Sequence, residues 1–135
     1  MKAIVVTDQA AGTAGMKLVE RPEPRAAIND VVVQVHASGF VPTELAWPST
    51  WADRRDRDRT PSIPGHELAG VVTALGYGTT GLSVGQRVFG LADWHRDGTL
   101  AEHVAKTEDA PMQRTLGRSA SGDGRKGGPV TAPTR

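Results

Sequence analysis

The stretch VVVQVHA, Val31 to Ala37, constrains the fold most. Four valines alternate in part with Gln34 and His36, and Asn29-Asp30 stand in front as turn formers, a pattern that predicts a strand crossing a core. Its neighbours are of the same kind. Lys2 to Thr7 and Met16 to Glu20 flank a Gly-containing turn and predict an N-terminal hairpin. LAGVVTAL (68–75) and VGQRVFG (84–90) predict two further strands, and Arg96-Asp97-Gly98 predicts a tight turn into a strand over Thr99 to Ala105. Pro42 to Trp51, broken by Pro48, suits short helical turns rather than a long helix. About six short strands joined by Gly and Pro turns imply a mainly β architecture, a barrel or sandwich. At 135 residues the chain has room for one core.

Charge excludes a partner drawn by long-range field. Lys and Arg total 16 against 15 Asp and Glu, a net charge of +1, which favours neither nucleic acid nor an anionic membrane. The run DRRDRDR (53–59) nearly cancels itself and reads as a solvated loop. The chain has no cysteine, so a disulfide, a thiol nucleophile and a cysteine zinc site are excluded, and any metal would need His or carboxylate ligands. The opening MKAIVVTD reaches Asp8 too soon for a signal peptide, and no apolar run approaches membrane-spanning length. A cytoplasmic protein is the expectation. From about Lys106 the composition turns poor in apolar residues and rich in Gly and basic residues, which predicts a disordered tail over 111–135 after a folded domain over 1–110.

The motif Gly65-His66-Glu67-Leu68-Ala69-Gly70, followed by Gly76, resembles the GHExxGxxxxxG signature of the medium-chain dehydrogenase/reductase superfamily. MKAIVV at the start, VHASGFVPTEL (35–45), GLSVGQRVFG (81–90) and DGTLAEHVA (97–105) resemble the same family in the same order. The resemblance implies a GroES-like barrel with short helical turns, the substrate-side domain of an NAD(P)H-dependent oxidoreductase. FGLADWHRDGTLAEHVA and ELAWPSTW are most similar to NADP-dependent quinone oxidoreductases and related zinc-independent reductases.

That resemblance also implies a site. In zinc members the GHE histidine and a preceding cysteine bind the metal; here His66 stands alone with Glu67, and Val41 occupies the cysteine position, so zinc is not expected. His66 then reads as a ring fixed by Glu44 or Glu67. Glu44 matches an acidic residue that supports the metal site in zinc members. Thr43 matches a proton-carrying hydroxyl, with a helix cap as its plain alternative. Trp47 and Trp51 are candidate walls for a flat apolar substrate such as a quinone. His36 is expected to be a packed or edge residue.

NADP(H) is the cofactor that the resemblance implies, yet the glycine cluster GRSASGDGRKGG (117–128) has neither a strand before it nor a helix after it and makes no dinucleotide fingerprint. The chain is therefore expected to be truncated before its Rossmann domain and inactive alone. The alternative is a stand-alone barrel that binds a partner domain or a second copy of itself through the face a cofactor domain would cover.

Overall fold

The computed structural model describes residues 1–109 and 112–114. Strand β1 (Lys2–Val5) leads into a 3-10 helix (Gln9–Gly15) and returns as β2 (Lys17–Glu20), the expected hairpin. Strand β3 (Asp30–Gly39) is followed by a 3-10 helix (Pro42–Ala46) and one turn of α-helix, α1 (Pro48–Trp51), each opened by its proline. A proline fits there because the first amides of a helix have no internal partner. Then come β4 (Glu67–Leu75), β5 (Arg87–Leu91), β6 (His103–Thr107) and β7 (Met112–Arg114).

The last five strands form one antiparallel sheet in the order β6-β3-β4-β5-β7, with β3 central beside β4 as its valines require. The hairpin is tied on by bridges Ala3 to Ala101 and Val6 to Ser62. Val31, Val33, Leu68, Val72, Val88, Ala92 and Val104 make the main core; Ala3, Val5 and Ile63 make a smaller one under the hairpin. Val32 is buried as well, so β3 is covered on both faces at its start and departs from simple alternation. His36, on the same strand, is exposed.

Two strands begin later than expected. Val84 and Gly85 belong to a turn, Gly85 having φ +88°, so β5 starts at Arg87. Thr99 and Leu100 bond the backbone of Gly65 and Pro64 instead of the sheet, so β6 starts at His103. Three residues of the expected tail, Met112–Arg114, pair with β5 as an edge strand. The remainder of 111–135 lies outside the described residues.

The loop 92–98 between β5 and β6 ties the domain together. Arg96 forks onto Asp30, Nη1 to Oδ1 at 2.9 Å and Nη2 to Oδ2 at 2.7 Å. That guanidinium holds the Asp30 carboxyl below its ordinary value against the opposing effect of burial. Asp97 accepts from the Ile63 amide at 3.1 Å and pairs with Arg21 at 3.0 Å. Asp93 acts on Lys106, which lies across from Val31 in register and is fully buried.

Burial pushes the Lys106 ammonium down to about 8, with Asp93 opposing the shift. Between pH 8 and the ordinary lysine value of about 10.4 the unfolded chain holds a proton that the folded chain has lost, so this group adds stability as pH rises through that window. Urea unfolding at pH 7.5 and pH 10 should therefore show a gain at the higher pH that the Lys106→Met variant loses. An identical pH response in the two proteins would refute this.

Candidate functional site

The site grows from the backbone of the GHE motif. Gly65 takes φ +95°, a conformation that residues with a Cβ rarely adopt, and a Cβ there would also meet the Thr99 hydroxyl. This turn swings His66 inward just before β4 begins. The His66 carbonyl accepts from Ala92 N at 2.7 Å, which anchors the ring against the loop that carries Trp94.

His66 is buried, and its Nδ1 lies 2.5 Å from Oε1 of Glu44, itself 4% exposed. The other oxygen of Glu44 accepts from Val41 N at 2.9 Å. Both oxygens of a buried carboxylate are thus occupied, as burial requires. The carboxylate can only accept, so Nδ1 carries the proton of this bond, and in the neutral ring Nε2 keeps the lone pair.

Buried hydroxyls fix the helical turns beneath. Thr50 Oγ1 donates to the Glu44 carbonyl at 2.8 Å, and Ser62 Oγ donates to the Thr50 carbonyl at 2.7 Å. Ser62 in turn bonds the backbone of Val6. Glu44 is therefore held through its main chain as well as its side chain.

Aromatic rings complete the walls. Trp94 stacks on His66 with centroids 4.9 Å apart and planes at 29°, and Trp47 lies 5.3 Å from His66 and 4.6 Å from Trp94. Trp47, Trp94, Phe40, Val41 and Leu91 enclose about 90 Å³ with Glu44, His66 and Glu67. Trp94 and Val41 remain about half exposed, so the cavity opens at an apolar rim.

The structure thus gathers His66, Glu44, Glu67 and Trp47, and leaves Thr43 and Trp51 outside the cavity. Thr43 is exposed on the 3-10 helix. Trp51 gives its indole N–H to the Leu45 carbonyl at 2.8 Å, a bond that closes the helical turn. Glu67 is exposed, its side chain lying over Gly39. Trp94 was missed in the sequence: it stands in a loop without period, and only the closure of β5 against the GHE turn brings it to His66.

The donor chemistry around His66 does not fit a catalytic zinc. Val41 lines the same cavity with an isopropyl group, Glu44 is committed to His66 and Val41, and among the described residues no three His, Cys, Asp or Glu side chains converge as ligands. The described residues also lack a dinucleotide cradle. Their helical elements are short, and the 3-10 segment Gln9–Gly15 is broken at Gly12 and capped by Asp8, a carboxylate where a pyrophosphate would need donors. No described helix is long and apolar enough to cross a membrane.

Comparison with known proteins defines the class. Residues 27–128 match the family model "Alcohol dehydrogenase GroES-like domain", and the chain belongs to that family. Its relatives are oxidoreductases of the medium-chain dehydrogenase/reductase type. L-threonine 3-dehydrogenase of Saccharopolyspora erythraea is 41% identical over 93 residues, 67% of this chain and 25% of the relative. Acryloyl-coenzyme A reductase of Sulfurisphaera tokodaii is 32% identical over 92% of this chain and 35% of the relative. The quinone oxidoreductase of Pseudomonas syringae pv. Tomato superposes with a TM-score of 0.71 at 25% identity, over 89% of this chain and 34% of that one. The chain spans about a quarter to a third of the length of the curated relatives it matches.

Proposed function

We propose that this domain forms the substrate-side half of an NADP(H)-dependent active site that reduces quinones or activated carbonyl compounds without zinc. The observation that carries this reading is the aromatic cavity in which Glu44 fixes His66 against Trp47 and Trp94. A flat conjugated substrate would lie on the indole faces. Reduction at a carbonyl or quinone oxygen requires a proton there, and His66 is placed to hold one at Nε2 while Glu44 fixes its partner nitrogen. Thr43 is too far toward solvent to line this cavity, so the proton role passes to His66.

The cavity is a half-site. Its volume of about 90 Å³ is well short of the roughly 300 Å³ at which small-molecule pockets begin. The open rim at Val41 and Trp94 is where a cofactor-bearing domain would complete it, and the reductant would come from that domain. The small volume supports a chain that is inactive by itself and acts on a small-molecule substrate once completed.

A titration with NADPH, followed by nucleotide fluorescence, and one with a water-soluble quinone, followed by tryptophan quenching, tests the reading on the 135-residue chain. The quinone should quench saturably and more weakly in Trp94→Leu, while NADPH should give no saturable signal. Quenching that never saturates, or NADPH binding with turnover, would refute it.

A further inference from the structure

A second and larger cleft, of about 580 Å³, shares no lining residue with the cavity at His66. It lies between the Arg21–Arg25 segment, the loop 95–98 and the start of β6. Its walls carry two imidazoles, His95 and His103, whose Nδ1 atoms are buried without a hydrogen-bond partner. Buried polar atoms ordinarily have a partner, and these two belong to rings that line one cleft, which points to a ligand there.

The charge on the walls says which chemistry. Among the described residues Arg96 is matched by Asp30 and Arg21 by Asp97. Among the described residues, none of the ion pairs involves Arg25 or Arg59. Arg59 is half-buried, donates to the carbonyls of Ser49 and Trp94, and feels Asp97 and Asp53 only from farther off. Burial holds its guanidinium below the ordinary value, the mark of a cation without a close counter-charge. Two carboxylates also line the cleft: Asp97, engaged by Arg21 and the Ile63 amide, and Glu23, 68% exposed, its Oε1 3.9 Å from His103 Nδ1, too far for a hydrogen bond.

We propose that this cleft binds the phosphate group of a small organic molecule, with the imidazole rings of His95 and His103 as donors and with Arg59 and Arg25 supplying the positive charge. A phosphate offers three peripheral acceptor oxygens, enough for two imidazoles and a guanidinium together, and hydrogen bonds to charged oxygens are the strong ones. The volume suits such a ligand. Glu23 occupies the mouth as a weak competitor and turns away when the anion enters.

The test is a titration of the whole chain with inorganic phosphate and with glycerol 3-phosphate at constant ionic strength, followed by the imidazole NMR resonances of His95 and His103. Both rings should shift saturably, the organic phosphate at the lower concentration. Arg59→Gln should weaken binding about tenfold, as expected for one charge-assisted bond. Glu23→Gln should tighten it, and Lys17→Gln, which removes an exposed charge on β2, should leave it unchanged. Equal shifts with chloride or acetate, no saturation in the unaltered protein, or equal loss in Lys17→Gln and Arg59→Gln would overturn the proposal.

Discussion

Replacing Gly70 by alanine should cost this domain about 3 kcal/mol or more, a large share of the stability of any domain this size. Gly70 lies in the middle of β4, between Val35 of β3 and Val88 of β5, and is buried. A Cβ there would run into the carbonyl of Gln34 and press on a methyl of Val33. The first obstacle is backbone and cannot turn aside. The second belongs to the main core, where interiors have no slack to absorb a methyl. Relief requires β3 and β4 to part where the register already shifts, between Val35 and Ala37, which would open the ladder next to the turn that aims His66. Urea unfolding should show a midpoint well below that of the parent with a similar slope. A variant within about 1 kcal/mol of the parent would mean the two strands separate freely at this point.

The same glycine shows what was legible beforehand. The motif that holds it carries the family resemblance, and VVVQVHA and LAGVVTAL point to the two strands on either side of the clash, because β-branched runs bounded by Gly, Asn and Pro are local signals. Strand starts were less legible. Val84 and Thr99 look like strand residues, yet Gly85 turns the chain at one and the backbone of Gly65, distant in sequence, captures the other. Met112–Arg114 are too few to carry a period, and the open edge of β5 makes them a strand. In the site, Glu44 and His66 could be read from the family resemblance that the GHE motif carries. Trp94, His95 and Arg96 could not, since the loop ADWHRDG reads only as a turn. Its successive side chains reach His66, the second cleft and Asp30, contacts that exist only after the sheet has closed.

Glu44→Ala should destabilise the domain by about 3 kcal/mol and free the His66 ring as well. Two bonds disappear together, from His66 Nδ1 and from Val41 N, and the His66 donor is left in a place that water reaches poorly. Hydrogen bonds to a charged acceptor contribute roughly 1.5–3 kcal/mol, and the buried donor of His66 stranded by its removal adds its own desolvation. Glu44→Gln should lose about half as much, because its amide oxygen can serve one donor while its NH₂ faces the other. The main-chain bond from Thr50 to the Glu44 carbonyl is untouched in both variants, so the helical turn stays and the loss belongs to the side chain. Stability alone would not separate a structural carboxylate from one that orients a ring. The stack of His66 on Trp94 does: with Glu44 gone, the Nδ1 proton has no fixed acceptor, the ring populates both tautomers, and the Trp94 environment changes. Imidazole ¹⁵N spectra should show one tautomer in the parent, a mixture in Glu44→Ala and an intermediate state in Glu44→Gln, together with a shift in tryptophan emission that Trp94→Leu abolishes. A single unchanged tautomer in Glu44→Ala would mean that the ring is held by its aromatic neighbours and that the carboxylate serves the Val41 amide alone.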